Sequence, residues 1–226
     1  MDEQNKEKLV PILALRGLVL FPGMTLHFDV GRRASIKAIQ YALENSCNIF
    51  MVTQRNIEDE KPTQTGLYSV GTVATVKQAV RISPSSKTLR VVVEGLYRAS
   101  LTEITDYMPY YQGYIKPKRD TAVKSADDRY EEALIRSAKQ RFTEYSDLSG
   151  KIAPDIAISI LESNSAGETA DLIAGNIFFP LEEKQHMLSE LNPIRRLEYL
   201  TVVLQEEIEI AALEDKIQHN VQDRMD

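Results

Sequence analysis

The first 120 positions carry mainly the apolar patterns of β-strands. Residues 25–30 alternate apolar and polar side chains, which places Leu26, Phe28 and Val30 on one face, as in a half-buried strand. Gly95 falls on the apolar face of a longer stretch, where an isolated glycine predicts a bulge that bends the strand. Further strands are predicted from apolar or β-branched stretches at residues 10–15, 47–52, 73–82, 89–101 and 110–115.

One helix interrupts this β-rich region. Between Gly31 and Asn45, the apolar residues Ile36, Ile39 and Leu43 recur at helical spacing. Many short strands, a single helix and a long bulged hairpin together favour a small barrel that is closed or half-closed.

The pattern changes after residue 118, where apolar residues recur every three or four positions to the end of the chain. Pro154 suits the first position of one helix, and Asn192 and Pro193 are interpreted as the N-cap and first residue of the last. We therefore predict an α+β fold. A β-rich, barrel-like domain spans residues 1–118, and an all-helical subdomain ending in a long helix spans residues 119–226.

The last predicted helix carries two apolar stripes. The first weakens where the second strengthens, so we expect the helix to leave one packing surface for another and to continue past Asp226. We also expect weak self-association through the second stripe, and a frayed amphipathic tail is the alternative. The first stripe comprises Leu197, Leu200, Leu204, Ile208 and Ala211, and the second comprises Val203, Ile210, Leu213, Ile217 and Val221.

Composition and charge narrow the classes of protein. The 226 residues have ordinary globular composition, and the net charge of −6 resides wholly in residues 181–226, which argues against a nucleic-acid binder. The basic stretch at residues 116–119 is interpreted as a junction between domains. The longest apolar run is too short to span a membrane, no secretory signal is recognisable, and Cys47 is the only cysteine. We expect a soluble cytoplasmic protein.

Residues that could carry catalysis are few. His27, His186 and His219 lie in different predicted elements, and none belongs to a zinc-binding pattern. The single Gly-Lys pair, Gly150 and Lys151, lacks the remaining residues of a phosphate-binding loop. We therefore expect no catalysis, no metal and no cofactor in these residues.

The stretch from Gly17 to Met24 combines six large apolar residues with turn residues. Because a tight turn cannot bury every side chain, we expect some of Val19, Phe21 and Met24 to be exposed, and exposed apolar patches mark binding surfaces. The alternative is that all of them belong to the core.

Residues 9–36 resemble the opening of Lon proteases, with a Pro-x-Leu-x-Leu-Arg run, then Phe-Pro-Gly-Met, then Val-Gly-Arg. Residues 68–74 resemble the family's Val-Gly-Thr strand, and residues 90–99 its Val-x-Val-Glu-Gly strand. Short stretches of the helical half are similar as well, in the same order. His27 replaces a proline common in the family, and Phe178-Phe179-Pro180 replaces a more usual Leu-Pro-Leu.

The resemblance implies the N-terminal region of an ATP-dependent serine protease. Such proteases are homohexamers that combine this region with an AAA+ ATPase, which uses ATP and magnesium, and a Ser-Lys peptidase, both outside this chain. The resemblance implies protein quality control, with unfolded or damaged proteins and other Lon subunits as partners, and no membrane or nucleic-acid partner. We expect Val19, Phe21 and Met24 to contact the substrate.

Two alternatives remain open. Lon-like β domains also occur as stand-alone adaptor or small-ligand binding modules, and the sequence beyond Asp226 would distinguish them from a protease. An enzyme in its own right has no support, and we expect the chain alone to hydrolyse neither casein nor ATP.

Overall fold

A computed structural model of the chain describes residues 6–83, 85–121 and 128–222. The chain divides into two compact units, one up to Arg119 and one from Asp120. The described residues form six β-strands and six α-helices, so the predicted α+β class is confirmed. The first unit contains β1 (Lys8–Leu15), β2 (Thr25–Val30), α1 (Arg33–Glu44), β3 (Ile49–Thr53), β4 (Val70–Arg81), β5 (Leu89–Asp106) and β6 (Tyr111–Pro117), and the second contains α2 (Asp128–Ser149), α3 (Pro154–Glu162), α4 (Ala166–Asn176), α5 (Leu181–Ser189) and α6 (Pro193–Gln222).

The six strands form one sheet in the order β2-β5-β4-β3-β1-β6. β1 and β3 are parallel, and the other pairs are antiparallel. Because β5 also pairs with β6, the pairings run from β1 through β3, β4, β5 and β6 back to β1. β2 lies outside this circuit and pairs with the first part of β5. Lys116 and Pro117, interpreted from the sequence as part of a junction, belong to β6.

The bulge predicted at Gly95 is present in β5. The register with β4 shifts there, since Val73 faces Tyr97 while the next residue, Ala74, faces Gly95. The bulge lies between the part of β5 that pairs with β2 and the part that pairs with β6.

The core of the first unit consists of two apolar clusters. One joins α1 to the sheet through Ala38, Ile39 and Ala42, which confirms the inward face predicted for the helix at Ile39. The other cluster includes Phe50 and Ile115 and lies among β1, β3, β4, β5 and β6. Burying a large apolar side chain of this kind contributes about 1.5–3 kcal/mol.

The helices of the second unit begin as the sequence predicts. Pro154 occupies the first turn of α3, where its missing N–H costs nothing. Asn192 caps α6, since its Oδ1 accepts from the backbone N–H groups of Ile194 at 3.0 Å and Arg195 at 3.1 Å. None of the helices in the described part of the chain combines the length and apolar character that crossing a bilayer requires.

A buried arginine crosslinks the second unit. The side chain of Arg196 on α6 is 1% exposed and forms ion pairs with Asp120 at 2.8 Å and Asp171 at 3.1 Å. Its Nη1 also donates to the carbonyl oxygen of Glu190 at 2.7 Å. Removing one member of such a buried group costs about 3–5 kcal/mol, so this cluster ties the start of the unit to α4 and α6.

The two stripes of α6 differ in burial. Leu197, Leu200 and Leu204 are fully buried, whereas Ile210, Leu213 and Ile217 are exposed by 48%, 58% and 61%. Val203, assigned to the second stripe from the sequence, is buried with the first. The side chains of Val221 and His219 lie outside the described part of the chain. The second half of the helix thus presents an apolar face to solvent.

Candidate functional site

The stretch from Gly17 to Met24, here called the 17–24 segment, is largely buried. Val19 is 4% exposed and Phe21 is 0% exposed, and Met24 is half-buried against the first core cluster. The expectation that Val19 and Phe21 face the solvent is therefore wrong. Neither side chain is available to a substrate in this conformation, and only Met24 retains partial exposure.

Two buried threonines explain how this loop enters the core. The hydroxyl of Thr53 donates to the carbonyl oxygen of Leu18 at 2.7 Å, and that of Thr72 donates to the carbonyl oxygen of Leu20 at 2.6 Å. A buried carbonyl without a partner would oppose burial of the loop. Because these two carbonyls are satisfied, the side chains between them can pack inward.

Gly95 provides the remaining space. A Cβ built on Gly95 would lie 2.2 Å from the carbonyl oxygen of Phe21, so a side chain there would push the 17–24 segment outward. The backbone of Gly95 instead pairs with the segment, accepting from Gly23 N–H and donating to the carbonyl oxygen of Met24, each at 2.9 Å. The isolated glycine therefore marks a close backbone approach as well as a bulge.

A different surface of the first unit is open and apolar. A groove of about 590 Å³ has Ile12 and Ala14 of β1 among its lining residues, and the start of α1 contributes to another part of it. Residues 107–111, which connect β5 to β6 and are here called the tyrosine turn, contribute to a third part. The full lining comprises Ile12, Ala14, Arg32, Arg33, Ala34, Ser35, Lys37, Glu60, Lys61, Thr63, Tyr107, Met108, Pro109 and Tyr111.

The tyrosine turn exposes large apolar side chains at this groove. Met108 is 78% exposed and Tyr107 is 40% exposed. The rings of Tyr107 and Tyr111 meet edge to face with centroids 5.1 Å apart, an arrangement that holds both rings in place. Methionine adapts its shape to varied partners, so the turn combines a deformable side chain with two oriented rings.

Charged residues line the groove along with these apolar groups. Arg32 is held in place because its Nη2 donates to the carbonyl oxygen of Ala14 at 2.8 Å, and burial lowers the pKa of its guanidinium from the ordinary value. The carboxylate of Glu60 pairs with Arg16 at 2.9 Å, and this hydrogen bond lowers the pKa of Glu60. Burial also raises the pKa of Tyr111, so its phenol stays protonated at neutral pH.

The sequence reasoning missed this groove. Residues 110–115 were interpreted only as a strand, although the Tyr-Met-Pro-Tyr-Tyr run at 107–111 carries a signal of its own. Large apolar residues at the tip of a hairpin have few neighbours to bury them, because both flanking strands lie on the same side.

His27 lies on β2 and His186 on α5. Within residues 6–83, 85–121 and 128–222, no group of three or more His, Cys, Asp or Glu side chains is placed to hold a metal ion.

Comparison with known proteins identifies the family. The family model of the ATP-dependent protease La (LON) substrate-binding domain matches residues 9–206. The chain belongs to this family. The resemblance to Lon proteases found in the sequence is thereby confirmed.

Curated relatives are whole Lon proteases. The Lon protease of Desulforamulus reducens is 36% identical over 219 residues, which cover 97% of this chain and 26% of the relative. The Lon protease of Brevibacillus choshinensis is also 36% identical, over 100% of this chain and 28% of the relative. The chain thus spans about a quarter of the length of these Lon proteases.

Solved structures show the same fold. The N-terminal domain of the Mycobacterium avium complex Lon protease aligns with a TM-score of 0.66 at 19% identity, covering 88% of this chain and 98% of that structure. The Lon N-terminal domain protein from Xanthomonas campestris aligns with a TM-score of 0.60 at 14% identity, covering 86% and 98%.

Proposed function

We propose that this Lon substrate-binding domain recruits unfolded or damaged polypeptides through the groove of its first unit. The observation that carries the proposal is the exposure of Met108, 78%, at the rim of an apolar groove of about 590 Å³. Unfolded chains expose apolar segments that native proteins bury. An open apolar groove binds such segments without requiring a particular sequence.

The proteolytic function belongs to the proposal as well. We expect this chain to act within an ATP-dependent serine protease of protein quality control in the cytoplasm, whose ATPase and Ser-Lys peptidase lie outside these residues. The support is the length of the relatives, of which the chain covers about a quarter. Several weak grooves in one assembly would bind a single unfolded chain with higher avidity than one groove.

The test compares two single variants of exposed apolar residues. Met108→Ser removes the most exposed apolar side chain of the groove, and Val80→Ser is the matched control, since Val80 is 46% exposed on β4 outside the groove. The probe is a fluorescein-labelled peptide with Leu-Phe pairs among Ser and Gly residues, followed by fluorescence anisotropy. We expect Met108→Ser to weaken binding about tenfold and Val80→Ser to leave it unchanged.

Equal affinity of Met108→Ser and the parent chain would remove the groove from the proposal. Circular dichroism on both variants checks that the fold is retained, which the exposure of both side chains favours.

A small-ligand binding module is the second candidate. A volume of about 590 Å³ lies within the range of small-molecule sites. An apolar dye that displaces the labelled peptide would be compatible with both candidates. A dye that binds the groove while the peptide does not bind at all would favour the small-ligand module.

We further propose that the exposed face of α6 serves assembly. Ile210, Leu213 and Ile217 would be covered by another Lon subunit or by another part of the same polypeptide. Sedimentation of this chain at rising concentration tests the first possibility. Weak association that Leu213→Glu abolishes would support contact between subunits, and a strict monomer would leave only contact within one polypeptide.

A further inference from the structure

The groove carries more positive charge than its apolar lining requires. Arg32, Arg33, Lys37 and Lys61 all line it. Among the described residues of the lining, Glu60 is the one acidic side chain, and Arg16 already pairs with it. The groove therefore presents four cationic groups to a bound molecule, although the chain as a whole has a net charge of −6.

Arg33 and Lys37 stand one turn apart on α1, and side chains at this spacing share one face of a helix. Like charges in this arrangement disfavour the helix by a small amount. No carboxylate in the described part of the chain forms an ion pair with Arg33, Lys37 or Lys61. An anionic group in the groove would relieve this repulsion.

Arg32 differs from these three cations. Its Nη2 is engaged by the carbonyl oxygen of Ala14, so it shapes the wall between the groove and β1. Arg33, Lys37 and Lys61 have no such fixed role. They are the side chains that would contact acidic groups of a ligand.

We propose that the groove selects apolar polypeptide segments flanked by aspartate or glutamate. The inference rests on the proposed function and adds a substrate class to it. The apolar part of such a segment contacts Met108 and Tyr107, and its carboxylates contact Arg33 and Lys37. Charge complementarity of this kind favours one partner over another and depends on salt.

A polypeptide fits the groove better than a nucleic acid does. Ile12, Ala14 and Met108 give it an aliphatic surface, which complements apolar side chains and offers no hydrogen bonds to bases. The net charge of −6 also opposes approach of a polyanion at long range.

The experiment measures binding of the 226-residue chain to three labelled peptides that share one Leu-Phe core. The flanks of the peptides are glutamate, serine or lysine, and all carry an amidated C-terminus. We expect the glutamate-flanked peptide to bind about fivefold more tightly than the serine-flanked one at low salt. The lysine-flanked peptide should bind most weakly, and the differences should shrink in high salt.

Two double variants locate the preference. Arg33→Gln with Lys37→Gln removes two cations from the groove. The matched control, Arg81→Gln with Lys87→Gln, removes two exposed cations of the same unit that lie outside the groove. We expect the groove variant to bind the glutamate- and serine-flanked peptides equally, and the control to keep the parent preference.

Each other outcome overturns the inference. Equal binding of all three peptides to the parent chain shows that the groove ignores charge while the proposed function stands. A groove variant that keeps the glutamate preference places the selection elsewhere. Tighter binding of a free C-terminus regardless of the flanks indicates a site for chain ends, and displacement by a single-stranded oligonucleotide indicates a nucleic-acid surface. Failure of every peptide to bind contradicts the proposed function itself.

Discussion

Two apolar loops of the first unit have opposite fates. The 17–24 segment contains Leu, Val and Phe residues next to a Pro-Gly pair, and the tyrosine turn contains three tyrosines with Met and Pro. The first lies in the core with Phe21 fully buried, whereas the second exposes Met108 by 78%. Hydrophobicity alone therefore does not decide which loop becomes a binding surface.

The difference lies in what surrounds the backbone of each loop. The 17–24 segment crosses β5 at Gly95, where no side chain intervenes, and buried threonines satisfy its carbonyls at Leu18 and Leu20. The tyrosine turn joins two antiparallel strands that pair with each other, so the tip of their hairpin extends beyond them. An apolar loop is buried when the fold provides space and hydrogen-bond partners for its backbone.

The largest effect is expected from Phe21→Ala. The side chain is fully buried, and truncating a buried phenylalanine costs about 3–5 kcal/mol of the free energy of unfolding. Urea denaturation followed by circular dichroism measures the loss. A loss below about 1 kcal/mol would mean that the 17–24 segment does not pack as described.

Gly95→Ala should have the next largest effect. The added Cβ would lie 2.2 Å from the carbonyl oxygen of Phe21, so the segment must move outward at a cost of about 3 kcal/mol. Gly31→Ala is the matched control, because its Cβ would meet only Thr88 Oγ1 at 3.8 Å. Equal thermal stability of the two variants would contradict the close approach at Gly95.

Thr72→Val tests the hydrogen bond that the loop requires. The variant keeps the shape of the side chain but leaves the carbonyl of Leu20 without its donor, which costs about 1–3 kcal/mol. Thr75→Val is the control, since Thr75 donates to an exposed side chain of Asn48 and should change stability by less than about 0.5 kcal/mol. A neutral Thr72→Val would show that the carbonyl does not depend on this hydroxyl.

The smallest effect on stability is expected from Met108→Ala. Because the side chain is mostly exposed, the free energy of unfolding should change by less than about 0.5 kcal/mol, while peptide binding weakens. A destabilisation similar to that of Phe21→Ala would show that the tyrosine turn is a packing element like the 17–24 segment.

Much of the fold could be predicted from period and turn residues. The two-residue period over 25–30 and the helical spacing after residue 118 correspond to β2 and to α2–α6, because local patterns report which face is buried. The bulge at Gly95 followed from the same reasoning. The contacts that bury Phe21 could not be predicted, since Thr72 and Gly95 are distant from it in sequence and look ordinary there.

The groove escaped prediction for a related reason. Its lining comes from four separate stretches of the first unit, and only the folded chain brings Ile12, Arg33, Lys61 and Met108 to one cavity. The cluster around Arg196 in the second unit was missed as well, because its partners Asp120 and Asp171 show no pattern in sequence.

Methyl resonances of the methionines provide the most direct test of where a polypeptide binds. Of the six methionines, Met24 lies in the 17–24 segment, Met108 in the tyrosine turn, and Met51 and Met187 are fully buried in the cores of the two units. Each reports on its own surroundings when the methyl groups are labelled with carbon-13 and the Leu-Phe peptide is added. We expect the Met108 signal to shift with peptide concentration while those of Met24, Met51 and Met187 stay in place. A shift of Met24 without a shift of Met108 would contradict the assignment of substrate binding to the groove.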